Sequence, residues 1–307
     1  MDVCTCDVTL GNTGKPGCKR SYLVAKYLIF TALIGSNGLA NTVDITNGEP
    51  NSTFINTGLN AANGDDRLYP LGEFEEVTNE RAEAIFQEFD SGKKVKVRDG
   101  FKTFTGFVPN AEPLLIDKVK QAGCGSFGAY IVDAGGNFIF SARKSDGVIL
   151  TGYPIEIDTA TIDVKYREAT DTTIGGLMIT FQWSSNESDG YLRQVKAADM
   201  DWNASDLDGL LDVNSIVASP SNSTDISIQL VDDYGDDVVG VVAGDMALAN
   251  LTTPGAVAID SVTENPDGTY LIDYTTAAVG SGQELELTIT KDGYDWSRVK
   301  SNTWTTV

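Results

Sequence analysis

The alternation of apolar and polar side chains is clearest in the middle of the chain, between residues 80 and 108. Val95 and Val97 alternate there with lysine and arginine, as side chains alternate between the two faces of a strand. Two turn signals, Asp90-Ser91-Gly92 and Asp99-Gly100, interrupt the pattern. Glycine supplies the positive φ that tight hairpin turns need. The pattern predicts a three-stranded antiparallel meander with strands at 80–89, 93–99 and 101–108.

Residues 76–89 leave a second interpretation open, because they are rich in Glu, Ala, Gln and Arg. These residue types are good helix formers. A strand is favoured over a helix because the segment runs directly into the predicted hairpins.

Helical periodicity is best developed at 111–123. Leu115, Ile116 and Val119 recur at helical spacing, Pro113 stands near the start, and a glycine follows the end. This segment is the one helix that the sequence predicts.

The segments before the meander are less regular. An apolar run at 22–34 is either a buried strand or a short helix, since so short a run does not distinguish them. Residues 35–68 are rich in Asn, Gly, Asp and Thr and predict long loops with one short strand at 42–46. A loop of that length is often a binding or assembly segment. Residues 1–20 predict an extended arm.

Strands are again predicted after the helix. A hairpin is expected from 127–132 and 137–140, around the turn Asp133-Ala134-Gly135-Gly136. In the segment 177–183 the odd-numbered positions are all apolar, which predicts a strand with one face on a core. The remaining strands of this region are predicted at 148–158 and 162–167.

The composition changes after residue 184, where lysine and arginine become scarce. The stretch 217–223 (VASPSNS) is typical of a domain boundary. Beyond it, short strands alternate with turn signals over about 90 residues, a pattern typical of an immunoglobulin-like sandwich. Its strands are predicted at 225–231, 238–242, 256–262, 269–274, 284–290 and 301–307.

The length of 307 residues favours two domains, at roughly 100–200 residues each. We place them at 1–218 and 219–307. The predicted fold class is mainly β: a β-sandwich or barrel-type domain with one flanking helix, followed by an immunoglobulin-like β-sandwich.

The net charge of −22 argues against a protein that grips nucleic acid, which needs a basic surface. Either the charge serves solubility, or it forms a surface that does not bind nucleic acid passing beside it. Residues 219–307 hold 14 acidic residues against three basic ones, a net charge of −11, as expected of an exposed, separately folded domain. The chain has no histidine, which removes the commonest general base and metal ligand.

The cysteines are Cys4, Cys6, Cys18 and Cys124. The N-terminus lacks the basic and apolar regions of a secretory signal, so reduced thiols are expected. Cys4, Cys6 and Cys18 have neither a fourth ligand nearby nor the spacing of common zinc sites. No apolar run reaches the roughly 18 residues of a membrane span.

Candidate chemistry is sparse. Four aspartates at 232–237 surround a Tyr-Gly turn, but their spacing does not match a calcium-binding loop, and the same holds for the aspartates at 199–212. Ser126 lacks the spacing of a nucleophile elbow, and without histidine no Ser-His-Asp triad can form. The sequence predicts no catalytic, cofactor-binding or metal-ligating residue and no enzyme. Four tryptophans are expected to be core or interface anchors: Trp183, Trp202, Trp296 and Trp304.

The order of these elements resembles that of the tail tube proteins of tailed bacteriophages. The resemblance is carried by the hairpin at 93–108, the helix at 114–121 and the module at 219–307, which contains Asp267-Gly268-Thr269-Tyr270 and Lys291-Asp292-Gly293-Tyr294. It covers most of the chain, concerns the plan rather than a motif, and assigns no site residue.

The resemblance implies a structural virion protein, made in the host cytoplasm, whose partners are its own copies and other tail proteins. Its copies are expected to form hexameric rings stacked head to tail, with an inner barrel joined from the strands of neighbouring subunits. The loop at 35–68 and the arm at 1–20 are expected to bridge rings. DNA would pass an acidic lumen without specific binding, and no membrane is involved. The alternative is a capsid decoration or fibre protein that displays its immunoglobulin-like domain for surface or glycan binding.

Overall fold

The computed structural model describes residues 22–142, 151–217, 224–275, 279–296 and 303–306; for residues 216 and 217 it describes the backbone alone. The chain is mainly β, with several sheets and two α-helices among these residues, so the predicted mainly β sandwich or barrel-type class is confirmed. The predicted arm at 1–20 and the three cysteines within it lie outside the described residues.

The elements of the first part of the chain follow one another from residue 25 to residue 195. In order they are β1 (Ala25–Ala32), β2 (Val43–Asp44), α1 (Ser52–Leu59), β3 (Tyr69–Gly72), β4 (Glu75–Arg81), β5 (Ile85–Glu88), β6 (Lys94–Arg98), β7 (Lys102–Pro109), α2 (Leu114–Gln121), β8 (Phe127–Asp133), β9 (Phe138–Ser141), β10 (Thr151–Gly152), β11 (Ile155–Arg167), β12 (Gly176–Trp183) and β13 (Leu192–Val195).

The second part has one 3₁₀-helix (Ala243–Asp245) among its described residues, and its other elements are strands. In order they are β14 (Leu211–Val217), β15 (Asp225–Asp232), β16 (Met246–Asn250), β17 (Gly255–Val257), β18 (Ile259–Glu264), β19 (Thr269–Tyr274), β20 (Glu284–Ile289), β21 (Tyr294–Asp295) and β22 (Thr303–Thr305).

The large sheet of the first part divides at β8. One side of β8 pairs with β1 along its length, and β1 also pairs with β3. On the other side, the first half of β8 pairs with β11 and the last half pairs with β9. One arm therefore continues as β9–β13, and the other as β11–β12–β7–β4.

Aromatic and aliphatic side chains fill the space against this sheet. Phe104 stacks on Phe181 with 5.0 Å between ring centroids, and Phe74 meets Phe104 edge to face at 5.4 Å. The alternation predicted for 177–183 is confirmed, because Leu177, Ile179, Phe181 and Trp183 are buried. A second cluster, which includes Ile55, Tyr130 and Phe138, packs under the loop that precedes β3.

The predicted meander is wrong in its connectivity, although the choice of strand over helix is confirmed. β5 pairs with β6, and β4 pairs with β7, so the four strands form one long nested hairpin. The only turn of this hairpin is at 90–92, where Gly92 has a φ of +75°. The Asp99-Gly100 signal is no turn: Ala82 N donates to Phe101 O at 2.9 Å, and the chain continues from β6 into β7.

A second helix, α1, lies in the stretch predicted as loops. Of the predicted short strand at 42–46, only Val43–Asp44 form β2, because Ile45–Asn47 form a 3₁₀-helix. The predicted helix at 111–123 is present as α2. The Asn51 carboxamide caps α1 by accepting from Phe54 N at 2.8 Å, and Ile55 and Leu59 are buried one turn apart. The rest of α1 includes two threonines, an asparagine and a glycine, which are poor helix formers and hide its pattern.

Other strands differ from their predictions. The undecided run at 22–34 forms the strand β1. Of the strand predicted at 148–158, residues 148–150 lie outside the described residues and Thr151–Gly152 form β10. The part from Ile155 is joined with the strand predicted at 162–167 in β11, with an irregular register between Asp158 and Asp163. No strand forms at 238–242, where Gly240 has a φ of +73° and breaks the extended backbone. The strands β3, β13, β14, β16 and β21 were not predicted.

The second part folds into two facing sheets around its own core. One sheet has the order β18–β19–β15–β14–β21 and the other β17–β16–β20–β22. Ile226, Tyr270 and Leu285 are fully buried between them. This arrangement is the two-sheet sandwich of immunoglobulin-like domains. β14 lies before the predicted boundary at 218/219 and pairs with β15, while residues 218–223 fall outside the described residues.

Candidate functional site

The tip of the nested hairpin is a two-stranded ribbon at 82–101, which we call the ribbon. Phe89 N donates to Lys93 O at 3.0 Å and Gly92 N donates to Phe89 O at 2.7 Å, which closes its turn. At the base of the ribbon its two segments lie very close together. A Cβ added at Gly100 would lie only 1.6 Å from the carbonyl oxygen of Ala82. A strand rises about 3.3 Å per residue, so the ribbon extends roughly 25 Å from this base.

The ribbon is exposed on both faces. Every residue of β5 and β6 is exposed, although the sequence alternates as a half-buried strand would. Phe86 keeps 57% of its surface accessible and Val97 keeps 59%. Monomeric proteins rarely leave so many large apolar side chains together in water, and such groups mark interaction sites. The exposed apolar side chains of the ribbon are Ile85, Phe86, Phe89, Val95 and Val97.

The ribbon is also neutral within an acidic chain. Residues 82–101 contain four acidic and four basic residues, so the net charge of −22 belongs to the remaining residues. Lys94 Nζ lies 3.2 Å from Glu88 Oε2, and Lys96 Nζ lies 2.6 Å from Asp99 Oδ1. The ribbon can therefore approach an acidic surface without the repulsion that the rest of the chain would meet.

A cleft of about 320 Å³ lies where the two arms of the large sheet separate. Ile139 of β9, Ile155 of β11 and Trp183 of β12 form its floor, and Tyr22 and Leu23, which precede β1, form one wall. Leu23 has half of its surface exposed. The three floor residues are themselves buried, so the exposed apolar surface of the cleft lies mainly on its wall residues Tyr22 and Leu23.

Ion pairs form the rim of the cleft at the base of the ribbon. Arg81 Nη2 lies 2.7 Å from Asp189 Oδ2, and the Lys102 ammonium pairs with the same carboxylate. Arg81 ends β4 and Lys102 begins β7, whereas Asp189 precedes β13. The Asp189 pairs therefore tie the two arms together beside the cleft.

Polar contacts hold the immunoglobulin-like part against the first part. Arg67 Nη1 lies 2.5 Å from Asp295 Oδ2, and both side chains are buried. The same guanidinium donates to the carbonyl oxygens of Ala61 and Ala62, at 2.9 and 3.4 Å. Gly293 N also donates to Asn60 Oδ1 at 3.0 Å. The second part is fixed to the segment that follows α1.

Lys118 of α2 makes a second polar connection between the two parts. Its ammonium lies 2.8 Å from Asp233 Oδ2 and 3.1 Å from Asp212 Oδ2, and it sits over the ring of Tyr234. Burial alone would lower the pKa of Lys118, but the hydrogen bonds to Asp233 and Asp212 outweigh it and raise the pKa above its ordinary value.

The acidic clusters singled out in the sequence have structural contacts. Asp232 accepts from Tyr234 N and Asp236 N, which shapes the turn after β15. Asp201 accepts from the backbone N and the hydroxyl of Ser52, both at 2.7 Å, and these bonds lower the pKa of Asp201. Within the described ranges, His, Cys, Asp and Glu side chains nowhere gather in threes that could hold a metal ion.

The other residues considered in the sequence have ordinary surroundings. Cys124 is a free, exposed thiol. Trp183 and Trp304 are buried, and Trp202 and Trp296 pack against cores, so the expectation that they are anchors is confirmed. Neither helix in the described part of the chain has the length and apolar character to span a bilayer.

Sequence reasoning missed the cleft and the polar connection between the two parts. Arg67 and Asp295 are 228 residues apart, and no periodicity relates them. The ribbon was predicted as part of a sheet, and its exposure had one signal: four basic residues within 93–98, which are costly to bury.

No protein-family model matches this chain, and no curated protein matches its sequence.

Proposed function

We propose that this chain is a structural subunit that assembles with its own copies, of the tail tube type that its element order resembles. The observation that carries the proposal is the ribbon, which exposes five large apolar side chains on a two-stranded element with no cover in its own chain among the described residues. Each is about half exposed, so burial would contribute about 1 kcal/mol per side chain and roughly 5 kcal/mol together.

In this proposal the subunits form rings, hexameric as in tail tube proteins, that stack into a tube for DNA ejection. The net charge of −22 would keep the phosphates of passing DNA from binding the wall. The Arg67–Asp295 and Lys118 contacts support a defined position for the immunoglobulin-like part on each subunit.

Negative-stain electron microscopy of the concentrated protein at moderate salt tests the proposal. We expect tubes, or stacked rings with a central hole, from the unchanged chain and from Val239→Asp, which alters an equally exposed apolar residue outside the ribbon. We expect separate particles from Phe86→Asp. Particles of knob or trimer shape from the unchanged chain would instead favour a capsid decoration or fibre protein.

A second candidate function, glycan binding, is favoured by a cavity of about 350 Å³ beside α1 that has both polar and apolar walls, a size typical of ligand sites. Thr42, Thr53 and Thr57 line it, together with the buried Tyr130, whose pKa is raised by burial. A glycan array probed with the chain and with Thr57→Val tests this function. Binding lost in the variant would support it, and an array without binding would remove it.

A further inference from the structure

We infer that the cleft between the two arms of the large sheet is the docking site for the ribbon of a second copy of this chain. The inference rests on the proposed self-assembly and adds where the ribbon binds. It follows from four features: the split of the sheet, the open strand edge, the apolar floor and the charge of the ribbon.

The split of the sheet leaves the edge of β4 open beside the cleft. Among the described residues, β4 pairs only with β7. Asn79, Glu80 and Arg81 of β4 line the cleft. Leu192 of β13 lines it too, but its carbonyl oxygen already accepts from the Tyr22 hydroxyl at 2.9 Å. An edge strand presents unpaired backbone groups that a strand from another chain can satisfy. The strands of a two-stranded ribbon are extended, so their outer backbone N–H and C=O groups can pair with such an edge.

The size and chemistry of the cleft suit an aromatic side chain of the ribbon. Its volume of about 320 Å³ is about twice that of the 150 Å³ cavity known to take a benzene molecule. A ring at the position of Phe86 can therefore lie over Ile155 and Trp183, which are themselves buried. The exposed Leu23 would cover the other side of the ring.

The charge of the ribbon favours a copy of this chain over nucleic acid as the partner. Two bodies that carry a charge of −22 repel each other, whereas the ribbon is neutral and meets no net repulsion. Two of its four cations are already paired within the ribbon, which leaves few for phosphates.

The relative positions of the ribbon and the cleft make the contact directional. The ribbon leaves the body at Arg81 and Lys102, which are also rim residues of the cleft, and extends roughly 25 Å away from them. Donor and acceptor are different surfaces of one chain. Such heterologous contacts build rings or open filaments rather than closed pairs.

A mixing experiment tests the docking site. Phe86→Asp damages the ribbon and leaves the cleft intact, while Leu23→Lys damages the cleft and leaves the ribbon intact. Each variant alone should be monomeric in sedimentation velocity, with self-association weakened at least tenfold. An equimolar mixture should form a 1:1 complex of two chains and nothing longer, because only one intact ribbon and one intact cleft can meet.

Matched controls separate docking from unfolding. Val239→Asp and Leu39→Lys change exposed apolar residues outside the ribbon and the cleft and should assemble as the unchanged chain does. A mixture that stays monomeric, or a Leu23→Lys chain that assembles normally, would overturn the docking site and leave self-assembly standing. An unchanged chain that stays monomeric at high concentration would overturn both. Binding of duplex DNA that Phe86→Asp abolishes would also overturn the inference, because the ribbon would then serve nucleic acid.

Discussion

Breaking the Arg67–Asp295 ion pair is expected to destabilise the chain strongly, because both side chains are buried where the two parts meet. Arg67→Met removes the guanidinium that pairs with the Asp295 carboxylate, and removing one partner of a buried pair costs about 3–5 kcal/mol. Two further hydrogen bonds, to the carbonyl oxygens of Ala61 and Ala62, are lost in the same variant. We therefore expect Arg67→Met to lose about 4 kcal/mol of unfolding free energy.

A double-mutant cycle separates the pair from the rest of the site. The variant Arg67→Met/Asp295→Leu removes both charges, and such replacements are often close to neutral. We expect it to be at least about 2 kcal/mol more stable than the sum of the single losses predicts.

Urea unfolding followed by tryptophan fluorescence and circular dichroism measures these differences, with coincident transitions as the condition for a single free energy. Trp296 adjoins Asp295 and packs against the core of the sandwich, so fluorescence reports on this region. Single variants within about 0.5 kcal/mol of the unchanged chain would refute the reasoning, since surface substitutions commonly have effects of that size. An additive double variant would refute it equally.

Three further predictions concern Lys118, Gly100 and salt. The folded-state pKa of Lys118 is raised, so its contribution to stability is complete below the unfolded pKa of about 10.4 and is lost as the pH rises through the folded value. Between about pH 9 and pH 12, the unfolding temperature of the unchanged chain should fall more steeply with pH than that of Lys118→Met. Equal slopes for the two chains would contradict this. Gly100→Ala forces the two segments at the base of the ribbon apart and should lower the free energy of unfolding by about 1–3 kcal/mol, with faster proteolysis of the ribbon. The control Gly244→Ala, where the added methyl group meets open space, should match the unchanged chain. Raising the salt concentration from about 0.05 M to about 0.5 M screens the net charge of −22 and should strengthen self-association; weakening in light scattering would show that ion pairs drive it instead.

Local chemistry explains which parts of the fold were predictable. The hairpin of β8 and β9 has a glycine turn between two short apolar segments, and the uniformly apolar odd positions of β12 indicated one buried face. β19 was predicted with its observed bounds because the Asn-Pro-Asp-Gly turn before it is a strong signal. These features depend on neighbours within a few residues.

The errors have causes that lie outside a local window. Ala247 and Ala249 make β16 a poor strand by composition, and its pairing with β20 decides its structure. The Asp99-Gly100 signal fits a turn, but the pairing of Ala82 with Phe101 keeps the chain extended there. The candidate site depends on how the arms of the sheet separate, and β8, beyond its local hairpin with β9, reaches β11 through a pairing that the sequence does not specify.

Sedimentation velocity of the unchanged chain and Phe86→Asp, over about a hundredfold range of concentration, tests most directly whether the ribbon drives assembly. The unchanged chain should form larger species as the concentration rises, and Phe86→Asp should remain monomeric with an unfolding temperature that does not change, because Phe86 is exposed in the monomer. Val239→Asp should associate as the unchanged chain does. Equal association of the unchanged chain and Phe86→Asp would contradict the account, because the exposed apolar side chains of the ribbon would then have no part in assembly.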